Sequence, residues 1–152
     1  MPPVALALGS NLGDRRAHLT WAIGRLSTLL HDSRASSFIE TDPVGVPDAQ
    51  PPYLNAAMVG TTSLEPHDLL AALMTIEQER GRTRTSFRGA RTLDLDLILY
   101  GDLILDDASL TIPHPRFRDR RFVLEPLASI APHWVDPITG QTMRQLLNAQ
   151  RS

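Results

Sequence analysis

Two hydrophobic periods run along this chain, and the switches between them mark out its elements. Val4 to Leu8 is a short apolar run closed by Gly9-Ser10-Asn11-Leu12-Gly13-Asp14, which predicts a first strand, a turn and a helix start. Leu19, Ala22, Ile23, Leu26, Leu29 and Leu30 then recur at helical spacing and predict the clearest helix. Ser36 to Glu40 reads as a strand, followed by a long, stiff loop through Pro43, Pro47, Pro51 and Pro52. In the strand predicted from Tyr53 to Thr61, Tyr53, Asn55 and Ala57 share one face while Leu54, Ala56 and Met58 share the other. Glu65-Pro66 opens a second helix with an apolar stripe of Leu69, Leu70, Leu73 and Ile76, and Gly81 is placed to cap it. Leu93, Leu95, Leu97 and Leu99 then alternate with Asp94 and Asp96, so a strand turns two carboxylates away from its leucines. A short helix is predicted from Phe122 to Ile130, with a last helical turn or two around Thr142 to Leu147. The order strand, helix, strand, strand, helix, strand predicts an α+β fold, a ferredoxin-like βαββαβ sandwich with C-terminal additions.

Composition narrows the function classes. A chain of 152 residues with 42% hydrophobic content fits one globular domain over 1–152. A net charge of -2 and a pI near 6.2 argue against a general nucleic-acid binder, whose affinity would come from a strongly basic surface. Without cysteine there is no disulfide framework, thiolate metal site or cysteine nucleophile. All 15 basic residues are arginine, which excludes a P-loop lysine and any Schiff-base mechanism. The N-terminal apolar run lacks a basic flank and is too short for export or membrane spanning. The expectation is therefore a cytoplasmic monomer without a nucleic-acid or membrane partner.

The acidic strand carries the candidate chemistry. At roughly 3.3 Å per residue, the Asp94 and Asp96 Cα atoms stand about 7 Å apart on one face, and their oxygens can converge on one or two hard cations. Arginines at 80, 82, 84, 88 and 91 precede them. Forked cationic donors beside a dicarboxylate suit a polyphosphate with bound magnesium, although a solvated strand edge with ordinary ion pairs is the alternative. Tyr53 and Asn55 offer a stacking surface beside an amide, suited to the edge of a flat heterocycle or simply to a half-buried strand. Glu77 could project toward the acidic strand from the second helix. His114, held between two prolines and followed by Arg116, Arg118, Arg120 and Arg121, could grip phosphate oxygens. The Gly9-Ser10-Asn11 turn could hold an anion on its amides, but Asn11 bracing a neighbouring loop is the favoured reading.

Several ordered motifs resemble one family, the 6-hydroxymethyl-7,8-dihydropterin pyrophosphokinases. They are Gly9-Ser10-Asn11, Tyr53-Leu54-Asn55-Ala56-Ala57, Ile76-Glu77, Gly81-Arg82-Thr83-Arg84, Arg91-Thr92-Leu93-Asp94-Leu95-Asp96, Pro113-His114-Pro115 and the run from Arg120 to Leu127. The resemblance implies transfer of a diphosphoryl group from ATP, the co-substrate, to the hydroxymethyl group of a reduced pterin, with two Mg2+ ions as cofactors. It implies metal ligation by Asp94 and Asp96, and catalytic roles in closure and transition-state stabilisation for Arg82 and Arg91. It also implies nucleotide or phosphate contacts at Glu77, Arg84, Arg91, Leu97, Thr111, His114 and Arg120. Tyr53 and Phe122 would sandwich the pterin, whose edge Asn55, Thr41 and the Val44 backbone would read. The chain departs from the family where Phe87-Arg88-Gly89-Ala90-Arg91 replaces Arg-Trp-Gly-Pro-Arg. Two other readings compete: a ferredoxin-like RNA-binding module, which two central carboxylates would disfavour, and a pterin binder that has lost catalysis.

Overall fold

One strand is covered on both faces, and everything else is arranged around it. The computed structural model describes residues 1–41, 52–81 and 92–150. In chain order its elements are β1 (Pro3–Ser10), α1 (Arg15–Leu26), β2 (His31–Ala35), β3 (Ile39–Thr41), β4 (Tyr53–Thr61), α2 (Pro66–Glu79), β5 (Asp94–Tyr100), β6 (Leu105–Asp106), β7 (Thr111–Ile112), a short 3-10 turn at Phe117–Asp119, α3 (Arg121–Ile130) and α4 (Met143–Ala149). All of β1 beyond Pro3 is buried, which explains an apolar run without alternation.

The main sheet is antiparallel, in the order β2-β4-β1-β5, with β3 also paired to β4. Leu19, Leu26, Leu69, Leu73 and Ile76 of α1 and α2 pack with Val4, Leu6, Leu8, Leu95 and Leu97 on one face. Val123, Leu124 and Leu127 of α3 and Met143 and Leu146 of α4 pack on the other, against Ala5, Ala7, Ala57, Val59, Ile98 and Leu99. Alanines at the centre of this second face let α3 lie close to the sheet. Among the described residues the result is a mixed α/β fold with an antiparallel sheet and four helices. Among the described residues no helix is long and apolar enough to cross a membrane.

Three local expectations need correction. The first helix ends at Leu26 rather than running to Leu30, because the Ser27 and Thr28 hydroxyls donate to the Ile23 and Arg25 carbonyls and compete with further helix. In place of the single strand read at Ser36 to Glu40 there are two, β2 before it and β3 overlapping its end, on either side of Ser36, whose N–H and hydroxyl both bond the Ala57 backbone. Finally, Leu99 does not share a face with Leu93, Leu95 and Leu97. The register against β1 shifts between Ala5 and Leu6, which pair with Leu99 and Leu97, and the extra residue Ile98 turns Leu99 toward α3.

Candidate active site

The cleft opens where the C-terminal end of β1 meets its two neighbours. Gly9 stands opposite Asn55 of β4 on one side and Asp94 of β5 on the other. A Cβ at Gly9 would lie 3.2 Å from Asn55 Oδ1 and 3.4 Å from Tyr53 Cδ1, so the missing side chain is what seats those two groups above the strand. The cleft has a volume of about 700 Å³, within the range of small-molecule sites. Tyr53, Asn55, Thr41, Asp94 and Asp96 line it from the sheet, and Arg120 and Phe122 from the start of α3. Asn55 is buried, and its Nδ2 donates to Thr41 Oγ1 at 2.7 Å, which fixes the orientation of the amide. The Arg120 guanidinium lies 5.7 Å from the centre of the Phe122 ring, so cation and aromatic face enter the cleft as one unit.

Asp94 and Asp96 are half-buried on one face of β5, opposite Gly9 and Ala7, whose small size leaves the space above them open. Two carboxylates suit magnesium, which takes a few protein oxygens and completes its shell with water and phosphate. Among the described residues no group of three or more His, Cys, Asp or Glu could hold a metal alone. The strand bearing the pair is pinned from behind: buried Glu77 of α2 accepts the Leu95 N–H at 2.7 Å through Oε2. His114 anchors the neighbouring loop by donating its N–H to Ile98 O at 3.0 Å. Its Nδ1 accepts the Arg116 N–H at 3.1 Å, so the neutral ring carries its proton on Nε2. Burial, followed by Arg120 and Arg116, pushes the imidazole down to about 4 against the opposing pull of Asp94. The cleft therefore places flat faces, a fixed amide, a dicarboxylate and guanidinium donors around one volume.

The family model of 7,8-dihydro-6-hydroxymethylpterin-pyrophosphokinase matches residues 5–132, most of the chain. The chain belongs to that family. A pyrophosphokinase of Synechocystis, named for 2-amino-4-hydroxy-6-hydroxymethyldihydropteridine, is 46% identical over 144 residues, covering 93% of this chain and 73% of the relative. The Bacillus subtilis protein of the same name is 45% identical over 131 residues, covering 82% and 75%. Among solved structures, the wild-type HPPK-DHPS of Plasmodium falciparum with pteroate superposes with a TM-score of 0.75 at 14% identity, covering 97% of this chain. That likeness speaks for the fold alone, and this chain spans 42% of the solved chain.

Within this pyrophosphokinase, the structure brings Thr41, Tyr53, Asn55, Asp94, Asp96, Arg120 and Phe122 to one cleft. Glu77 lies behind the acidic strand at the Leu95 N–H. The Leu97 side chain is buried with α1 and α2, and Thr111 sits on β7 with its hydroxyl 3.3 Å from Asp106 Oδ1. Arg82, Arg84, Arg91 and Val44, with the Phe87-Arg88 departure, lie outside the described residues. Sequence reasoning gave no role to Gln150, nor to Arg121 and Glu125 beyond their place in the 120–127 motif, and it read Arg116 as part of an arginine run; all four line the cleft. Arg121 and Glu125 also pair at 3.4 Å, and their i,i+4 spacing beside Phe122 was a usable signal. Gln150 carried none.

Proposed function

We propose that the chain performs the reaction of its family in folate biosynthesis, moving a diphosphoryl group from ATP to the hydroxymethyl oxygen of 6-hydroxymethyl-7,8-dihydropterin. The pterin oxygen forms a bond to the β-phosphorus of ATP while the bond from that phosphorus to the α-β bridging oxygen breaks and the hydroxyl proton passes to water, giving the pterin diphosphate and AMP. One observation carries this reading: Gly9 seats Tyr53 and the Asn55–Thr41 pair in the same cleft as the two carboxylates. Tyr53 and Phe122 stack on the pterin, and Asn55, Thr41 and the Val44 backbone read its edge. Asp94 and Asp96 hold two magnesium ions, and the charge neutralisation these supply when bound is what the clustered phosphates require. Arg120 and neutral His114, with Arg84, hold phosphate oxygens; Arg82 and Arg91 close over them and stabilise the transition state. Thr111, Glu77 and Leu97 lie toward the nucleoside, Leu97 through its backbone because its side chain is in the core.

The same reading takes residues 1–152 as one monomeric, cytoplasmic pyrophosphokinase domain. Its ferredoxin-like βαββαβ assignment is supported by the order β2-β4-β1-β5 with α1 and α2 on one face. The test is to incubate the purified protein with ATP, magnesium and the reduced pterin, and to separate AMP from ADP. AMP formed one for one with pterin diphosphate, and lost on adding a chelator, is the expected result. ADP as product, or no pterin-dependent nucleotide turnover, would overturn the proposal.

A further inference from the structure

Beyond residue 132, where the family match ends, one carboxylate accepts four hydrogen bonds on its two oxygens. Asp136 is completely buried. Arg118 Nε donates to its Oδ2 at 2.5 Å and Arg118 Nη2 to its Oδ1 at 2.9 Å. The Ile138 N–H donates to Oδ1 at 3.0 Å and the Thr139 hydroxyl to Oδ2 at 2.8 Å. Burial alone would raise this carboxyl, but Arg118 and the other donors hold it below its ordinary range. The backbone closes the same turn, with Asp136 N–H on Gln141 O and Gly140 N–H on Asp136 O, each at 2.8 Å.

At the other end of the pair, Arg118 is the middle residue of the Phe117–Asp119 turn. Its guanidinium stacks 4.8 Å from the centre of the buried Phe117 ring, and its carbonyl accepts from Gln150 Nε2, at the end of the same C-terminal segment. That turn leads directly into the cleft. The Arg120 N–H bonds Phe117 O, and the Arg120 carbonyl accepts the Val123 and Leu124 N–H groups that start α3. Arg120 and Phe122 leave the chain between these bonds. Replacing a buried ion pair by apolar residues is often neutral for stability, so a saturated pair at this place is better explained by the geometry it imposes.

We infer that Asp136 is a positioning residue of the active site, holding Arg120 and Phe122 in place through Arg118. The inference rests on the pyrophosphokinase reading for its consequence, though not for its geometry. Asp136→Asn and Arg118→Lys, which respectively remove the charge and one arm of the fork, are compared with Leu26→Ala, a core deletion on the opposite face of the sheet. The measurements are kcat, the KM for reduced pterin, Tm, and amide hydrogen exchange over residues 116–124. Displacing a binding group by about 1 Å costs up to about 100-fold, so Asp136→Asn raises the pterin KM by about tenfold or more and speeds exchange at 116–124. Arg118→Lys shows a smaller rise of the same kind, and carries the test should Asp136→Asn fail to fold. Leu26→Ala lowers Tm without moving the pterin KM beyond about twofold.

A variant that loses Tm but keeps its pterin KM, or whose faster exchange is confined to residues 136–150, would overturn the inference. Exchange needs no turnover. A wild type that releases no AMP thus refutes the reaction alone, and the exchange data then decide the positioning role.

Discussion

Gly9→Ala is the sharpest single perturbation of the cleft. The backbone there is ordinary strand, so alanine brings no conformational strain of its own, and its Cβ would stand 3.2 Å from Asn55 Oδ1 and 3.4 Å from Tyr53 Cδ1. Asn55 Oδ1 must yield by a few tenths of an ångström, while Tyr53 is left at the edge of ordinary contact. Overpacking of this kind costs about 1–3 kcal/mol, and the Asn55–Thr41 bond, worth about 0.5–1.5 kcal/mol, is the nearest interaction that can give way. The strain falls on the pterin-reading face, so we expect pterin affinity to drop by about 5- to 100-fold, at about 1.4 kcal/mol per factor of ten. The assay is a fluorescence titration with reduced pterin, beside a non-hydrolysable ATP analogue whose binding changes less. Gly24→Ala serves as the control. Nothing lies within 4 Å of its Cβ position, and as a helical glycine replaced by alanine it should gain about 0.5–1 kcal/mol of stability with pterin binding intact. Pterin affinity within twofold of wild type in Gly9→Ala, with unchanged Tm, would refute the role given to the floor of the cleft.

Asp94→Asn and Asp96→Asn should each reduce AMP release by at least about 100-fold while the Tm holds or rises, because both carboxylates face the cleft rather than the core; retained turnover counts against metal ligation. Glu77→Ala strips the Leu95 N–H of its acceptor and should cost about 1–3 kcal/mol in urea unfolding, whereas Glu77→Gln keeps an acceptor and recovers part of that loss. In metal-free protein, the His114 imidazole should titrate by NMR near pH 4 rather than 6.5. Between those values the unfolded chain binds the proton and the folded chain does not, so the stability contributed by this residue is lost as pH falls from 6.5 toward 4. His114→Gln should remove that component of the acid sensitivity, and an unchanged pH dependence would contradict it.

What was legible in the sequence follows from what each segment buries. β1, α2 and the N-terminal half of β5 present unbroken or strictly periodic apolar positions to a core, and pattern reading placed them closely. β2 has no such signature because an exposed edge strand gains its place through hydrogen bonds to β4 rather than through burial. The two-residue strands β6 and β7 are too short for any period, and the Asp107 carboxylate that organises their turn by accepting the Ser109 and Leu110 N–H groups is an ordinary loop residue by composition. In the cleft, residues joined by i,i+2 spacing were found as pairs. Asp136 and Gln150 were not, because a contact reaching 18 or 32 residues back to Arg118 leaves no periodic trace.

The displaced register at Ile98 has a consequence for how this strand tolerates change. Before it, side-chain parity is dictated by chemistry, since Asp94 and Asp96 must look into the cleft; after it, parity is dictated by the helices that Leu99 must meet. One extra residue uncouples the two demands. Substitutions beyond Ile98 can therefore drift with the fit of α3 while leaving the acidic pair undisturbed, whereas removing that single residue would force the strand to satisfy one half at the expense of the other. The bulge thus divides β5 into a half whose parity serves the cleft and a half whose parity serves the helices, joined at a point where a deletion would turn one of them to the wrong face.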